Sequence, residues 1–592
     1  MSKYFLVTTA LEETWPSFDV PVLFIGEWCK LYGRREVWRK YDSVVVPYHW
    51  DDREKLFKDY IYLQSVFEAC LSDLATQLNE LHSVDHSIRY WRILVGPWLG
   101  YFLQIIFDRS EMLRIAFNNY EILNTSFINN TSGRLVPNDM AGFCDLFIDD
   151  PFNEYIYSQI LQRMDLSCEL KPVSSFPVCT KSSSSSMVSA RRIKKRVIDL
   201  FFQFLSVFSR DTDCFFISTY LSFVNNLILQ AKLGQLAIHR FSIPPPQASF
   251  DISKRQWGIP ASGNCDNFTA LAKALIPNFI PTLYLEGYIK LITLVAQLPW
   301  PKFPKCIFTS NSYSADDVFK AWAASKVESN SKLIIGQHGG NFGVSLWGFT
   351  EDHQVAIADR FLSWGWTTPN INSIVPFGNF KDFHRKICPN KNGSALLVEN
   401  SSSRYSYHMM SVPVSQGQFL EYLDDQFNFI EALPTYLRDQ VVVRLYSQDY
   451  GISLKQRWHD RFPHINLDEG LLPLPILLRK CRLYVSTYNA TTYLESLALN
   501  FPTIIFWNPL HWELRESAVP FFESLKSVGI FHETPESAAQ QMAMVWDDVS
   551  GWWDSAEVQS IRLVFCKRYS HFPDSPLDNL ASLFKHILAS DV

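Results

Sequence analysis

The run STYNATTYLESLALNFPTIIFW (486–507) opens with STYNATTYLE (486–495), which places hydroxyls, an amide and a carboxylate where a strand hands over to a helix. The apolar RLYV before it reads as a strand, and a helix begins near Asn489. Ala490, Thr491 and Thr492 then expose the unpaired N–H groups of the first turn, just past Ser486 and Thr487 at the strand end. A helix start of this kind binds phosphate, because its dipole and its free donors act on the anion together. The two threonine hydroxyls add donors without a charge that must be desolvated. Glu495, on the same helical face, can accept hydrogen bonds from a ribose or sugar diol. The plainer reading makes Asn489 a cap and Glu495 a capping glutamate; the strand–loop–helix context favours the anion site.

A second stretch, IIGQHGGNFG (334–343), runs two β-branched residues into Gln337, His338, Gly339 and Gly340. Glycines at a strand end let backbone N–H groups approach a ligand closely. His338 then stands at the mouth of whatever the strand points into, unless the glycines only make a tight turn around a packed ring. In VVVRLYSQDYG (441–451), Arg444 can grip a phosphate with two parallel hydrogen bonds or pair with a carboxylate of the fold, and Gln448 or Asp449 can touch a base or sugar. The adjacent acids Asp51-Asp52, Asp149-Asp150, Asp316-Asp317 and Asp547-Asp548 read as helix starts or solvated turns, and no well-placed DxD clamps a diphosphate. Metal-independent chemistry without a cofactor is therefore expected.

These residues need a scaffold of parallel strands. Short apolar strands at 4–9 and 43–47 precede helical spacing over 51–81 and 86–120, and a less regular region runs to about 210. Strand–helix alternation then resumes with CFFIST, KCIFTS and KLIIG, and again beyond a linker near 381–394 with SALLVEN, VVVRLY, INLD, RLYVST and PTIIFW. The expected division is a first unit over 1–385 with a helical insertion at about 50–210, a doubly wound second unit over 394–550, and C-terminal helices over 551–592 that cross back to the first.

Composition narrows the function further. The 592 residues exceed one core, so at least two domains are expected. The net charge of −6 gives no basic field to attract nucleic acid. Eleven scattered cysteines form no CxxC or zinc spacing, which points to reduced thiols and a cytoplasmic setting. Neither a signal sequence nor an 18-residue apolar span is legible. Eighteen Trp raise the weight of a carbohydrate site, since sugar faces pack on indole rings. The run Arg191, Arg192, Lys194, Lys195 and Arg196, after a serine tract, reads as a solvated helix start or as a peripheral contact with anionic lipid.

The stretch STYNATTYLESLALNFP resembles the nucleotide-sugar-binding helix of GT-B glycosyltransferases, with its Ser/Thr-rich turn, helix-borne glutamate and following N-x-P. TTALEETWP (8–16), FIGEWC (24–29), IIGQHGGNFG and VRLYSQDYG also resemble a family of transferases from bacterial surface-polysaccharide (O-antigen, capsule) loci. The resemblance implies an α/β, GT-B-like fold: two Rossmann-like doubly wound domains facing a cleft, the donor held mainly by the C-terminal one and the acceptor by the N-terminal one. It implies a glycosyltransferase acting on a nucleotide-sugar donor and a glycan or lipid-linked acceptor. Its acid–base groups would come from Glu12, Glu13, Glu27 and His338, with Glu13 or Glu27 as base and His338 on the leaving group. A nucleotide-sugar 2-epimerase, a polyol-phosphate transferase and a non-catalytic glycan-binding subunit are the other readings.

Overall fold

A computed structural model describes residues 3–128, 133–164, 168–173, 202, 205, 208–260, 265–379 and 387–589. The basic run at 191–196 lies outside these residues.

Three parallel sheets make the frame. The first comprises β1 (Lys3–Val7), β2 (Val22–Phe24), β3 (Ser43–Val45), β4 (Glu121–Ile128) and β5 (Glu169–Val173), in the order β3-β2-β1-β4-β5. The second comprises β6 (Phe215–Phe216), β7 (Cys306–Thr309), β8 (Lys332–Gly336), β9 (Arg360–Ser363) and β10 (Ile374–Pro376), laid down one after another across the sheet. The third comprises β11 (Ser394–Val398), β12 (Val441–Arg444), β13 (Asn466–Asp468), β14 (Cys481–Ser486), β15 (Thr503–Phe506) and β16 (Phe531–His532), in the order β13-β12-β11-β14-β15-β16. β7 and β15 are buried along their whole length, as strands covered on both faces must be, and their sequences are accordingly near-continuous apolar runs.

The α/β class with parallel sheets is thus as expected. The first 385 residues differ in detail: they carry two sheets, because β4 and β5 fall inside the stretch expected to be a helical insertion and pair with β1 and with each other. The two long helices are the crossover from β3 to β4. The first, Arg53–His82, is capped by Asp52, whose side chain accepts from the Lys55 N–H, and it buries Leu56, Tyr60, Leu63, Phe67, Cys70 and Leu74 on one face. The second, Ile88–Asn119, is capped by Ser87 and is buried around most of its circumference. It is a central post. Gln104 on it accepts from the Met409 N–H at 2.5 Å, and Arg109 donates to the Ser406 carbonyl at 2.8 Å, so the loop after β11 is fastened to it.

The last helix, Pro576–Ala589, returns to the second sheet, where the Phe584 ring sits 5.4 Å from those of Phe216 and Phe308. Backbone bonds also join the second and third sheets' loops: Leu346 N–H donates to Glu513 and Arg515 N–H to Val344, at 2.9 and 3.0 Å. Among the described residues no helix is long and apolar enough to cross a membrane.

Candidate active site

In the third sheet the strand order reverses between β11 and β14. Chains leaving the carboxyl ends of such neighbours part to opposite faces and leave a crevice, the usual ligand position in open α/β sheets. Val398 and Ser486 are register partners at those ends. The Thr487 hydroxyl donates to the Val398 carbonyl at 2.9 Å and bonds the Tyr422 hydroxyl at 2.7 Å, and Tyr422 in turn receives the Asn400 N–H at 2.8 Å. These bonds fix the crevice edges. A cavity of about 450 Å3 opens there.

Its walls come from all three sheets. Asn400, Ser401, Ser402 and Ser403 follow β11; Tyr446, Gln448 and Tyr450 follow β12; Asn489 and Ala490 follow β14. Gly340 and Asn341 reach in from the turn after β8, and Cys144, Asp145 and Phe147 from the helix Met140–Leu146 and the residues beyond it. His408, Tyr407 and Trp512 also face it.

The helix Thr491–Ala498 starts with Ala490 in the cap position, extended and without a side-chain cap. Alanine has no acceptor to offer, so the first-turn N–H groups are left for another partner beside the cavity. Gly340 N–H donates to Thr491 Oγ1 at 2.7 Å, which ties the turn after β8 to this helix start. Because that oxygen accepts, the Thr491 hydroxyl keeps its proton to give. Gly339 and Gly340 adopt φ of +149° and +80°, and a Cβ on Gly339 would collide with Thr491 Oγ1, which is why glycine stands there. Asn341 is buried in the wall, and its amide nitrogen makes no hydrogen bond among the described residues.

Asp145 is the one carboxylate among the described lining residues, and it is exposed. The ring of His408 lies 3.9 Å from that of Tyr407, and burial pulls its pKa down to about 4, so it is neutral at pH 7. Behind the wall, Glu399 accepts from Trp458 Nε1 at 2.6 Å; burial, opposed by that bond, raises its pKa to about 8. Tyr446 and Tyr450 stack with ring centroids 6.2 Å apart, one of them half exposed, and offer an apolar face to a ring-shaped ligand.

The residues singled out from sequence divide into three sets. Gly340, Asn489 and Ala490 line the cavity, and Gly339 and Thr491 hold its edge. Others serve the frame around it. Gln337 is buried and accepts from Trp364 N–H and Trp366 Nε1 at 2.9 and 2.8 Å. Ser486 is buried at the end of β14. Thr492 bonds the hydroxyls of Tyr484 and Tyr488, at 2.7 and 2.9 Å, and the charge of Glu495 is felt by the same two tyrosines. Arg444 lies 3.4 Å from Asp468 and donates to the carbonyls of Gly470 and Leu472, so its guanidinium is engaged by the third sheet itself. Asp449 receives the N–H groups of Gly451, Ile452 and Ser453, shaping the loop that carries Tyr450.

The third set lies off the cavity lining. His338 is half-buried among the rings of Tyr220, Tyr313 and Phe342, with centroids 5.6 to 6.4 Å away. Glu12 is clamped by Arg34 through two bonds of 2.7 and 2.6 Å, Glu13 is exposed, and Glu27 pairs with Lys30 at 3.0 Å. Asp145, His408 and Asn341 carry no sequence signal: Asp145 lies in a short helix of seven residues, and His408 and Asn341 lie in irregular chain with no periodicity to mark them. Among the described residues no three His, Cys, Asp or Glu side chains gather into a metal-holding group.

A family model described as LIC12162 family transferase matches residues 4–584. The chain belongs to this family of transferases. No curated protein matches it. Among solved structures it is similar to spinosyn rhamnosyltransferase SpnG complexed with spinosyn aglycone, at 11% identity, 50% coverage of this chain, 76% of that chain and a TM-score of 0.28. It is also similar to WaaG, a glycosyltransferase involved in lipopolysaccharide biosynthesis (10% identity, 50% and 94% coverage, TM-score 0.26). SnogD, a glycosyltransferase from Streptomyces nogalater, matches at 12% identity, 64% and 99% coverage and a TM-score of 0.27. Likeness at this level bears no weight on the site, and the functional reading rests on this chain's own geometry.

Proposed function

We propose that this transferase moves a glycosyl group from a nucleotide-activated sugar to a hydroxyl of a glycan or lipid-linked acceptor. The observation that carries the reading is the cavity at the strand-order reversal of the third sheet, bordered by a helix start with no side-chain cap. That is where the physics of open α/β sheets puts a phosphorylated ligand. The donor's phosphates lie against the N–H groups of the Thr491 turn, with the Thr491 hydroxyl and the Asn341 amide as further donors. The stacked tyrosines and Trp512 take its rings.

The acceptor enters from the side of Asp145. Its hydroxyl oxygen attacks the anomeric carbon; the bond from that carbon to the donor phosphate breaks, and its electron pair leaves on the phosphate oxygen. The hydroxyl proton passes to Asp145. General-base help of this kind is worth about 10²–10⁴ in rate, and the donors around the phosphate stabilise the charge that develops on it. His408, being neutral, can both donate to and accept from sugar hydroxyls. His338 and the glutamates at 12, 13 and 27 belong to the scaffold around this centre in the present reading, and nucleotide-sugars, as cytoplasmic metabolites, set the compartment.

The test is a panel of UDP-, GDP-, TDP- and CMP-sugars with and without surface-glycan acceptors. Nucleotide release that requires acceptor supports transfer. Interconversion of the donor alone would replace transfer by epimerisation, and no turnover or binding with any donor would remove the reading.

A further inference from the structure

A second cavity, of about 410 Å3, lies beside the second sheet and shares no lining residue with the first. Ile238, Ile243, Pro244, Leu298 and Trp300 wall it, and Arg240 stands in the lining. Arg240 is only 7% exposed, yet its Nε and Nη1 are buried without a hydrogen bond among the described residues. Its guanidinium lies 4.7 Å from the centroid of the Phe215 ring. The carboxylate whose charge it feels, Asp213, is already bonded to the side chain and the backbone N–H of Arg210, at 3.0 and 3.1 Å. Burial lowers the pKa of Arg240 to about 10, which leaves it charged at neutral pH.

A buried cation with open donors is costly, and an apolar side chain of similar volume is often the more stable choice at such a place. Keeping arginine there makes sense if a ligand completes its shell. Guanidinium donors match the oxygens of carboxylates and phosphates, whereas the isoleucine, leucine, proline and tryptophan walls favour hydrocarbon. The volume falls within the range of roughly 300–1,000 Å3 that small-molecule sites occupy. We propose that this cavity binds an oxyanion carried on an apolar body, such as an alkyl phosphate or alkyl carboxylate, with Arg240 holding the oxygens and the walls holding the chain. The site is separate from the transfer chemistry, so its test does not depend on that reading.

The test uses the full chain and calorimetric titration with decyl phosphate, decanoate, inorganic phosphate and decanol, all below any micellar concentration. Decyl phosphate and decanoate are expected to bind, and inorganic phosphate and decanol at least ~10-fold more weakly, each lacking one half of the recognition. Arg240→Met should weaken decyl phosphate by roughly 10- to 100-fold, the worth of a charge-assisted bond, without lowering Tm. Absence of decyl phosphate binding, equal binding by Arg240→Met, or equal binding of inorganic phosphate overturns the proposal. If Arg240→Met does not fold, Ile243→Trp decides: it fills the cavity without touching the charge, so lost binding supports the site and retained binding overturns it.

Discussion

Gly340 and Thr491, 151 residues apart, are joined by a 2.7 Å hydrogen bond from the glycine N–H to the threonine hydroxyl oxygen, and this bond closes one edge of the cavity. It sets the second sheet's turn against the third sheet's helix start. Gly339→Ala should disrupt it, because the new methyl meets Thr491 and the φ of +149° disfavours any side chain. A stability loss of about 1–3 kcal/mol is expected by denaturant unfolding, with weaker donor binding. Thr491→Val, which exchanges the hydroxyl for a methyl of similar size, should cost about 1 kcal/mol and also weaken donor binding.

Asp145→Asn should lower kcat by about 10²–10⁴ and leave KM for the donor nearly unchanged. Asp145 is exposed and its replacement is isosteric, so the unfolding midpoint should hold. Steady-state kinetics with a transferred acceptor, beside a melting curve, checks both halves.

Glu399 gives a pH prediction with a definite sign. Its pKa in the folded protein, about 8, is raised above the ordinary 4.5. Its stabilising share is therefore complete below about pH 4.5 and disappears as pH rises through 8. Glu399→Gln keeps an oxygen for Trp458 Nε1 and has no proton to lose. The variant's stability relative to wild type should rise by at least about 1 kcal/mol between pH 5 and pH 9, measured by urea unfolding. A difference that is flat with pH would contradict the burial argument.

Arg404 fastens the loop after β11 to the first sheet, donating to Asp150 at 2.8 Å and to the Trp28 carbonyl. Arg404→Met leaves the buried side of Asp150 without its cation. A loss of about 3–5 kcal/mol is expected, with a lower Tm and a weaker grip on donor, since Ser403 next to it lines the cavity.

The sequence disclosed most where periodicity and punctuation are strong. Strands such as TIIF and LIIG are continuous apolar runs, and the 3–4 spacing from Leu56 to Leu74 announced the first long helix. The strand-to-helix turn was legible because RLYV ends in hydroxyl residues before a helix, and the structure places Ala490 in the cavity lining with Thr491 bonded to Gly340 at its edge. Arg444 was ambiguous in sequence for a physical reason: a strand-borne guanidinium serves a phosphate or a neighbouring acid equally well, and only the position of Asp468 tells which is within reach. The first sheet, β1–β5, was hidden as a separate sheet because β1–β3 are short and their partner β4 arrives only after two helices. Asp145 and His408 gave no local signal at all, since their meeting depends on how three sheets pack.

The central claim is that the cavity beside the Thr491 helix start holds the nucleotide part of the donor. Calorimetric titration of nucleoside diphosphates into wild type and Ala490→Trp tests it most directly, because Ala490 lines the cavity in extended backbone that accepts a larger side chain. The account predicts binding to wild type and a loss of at least about 100-fold, ~2.7 kcal/mol, in a variant whose Tm is unchanged. Equal binding by both proteins, with the indole filling the cavity, would contradict it.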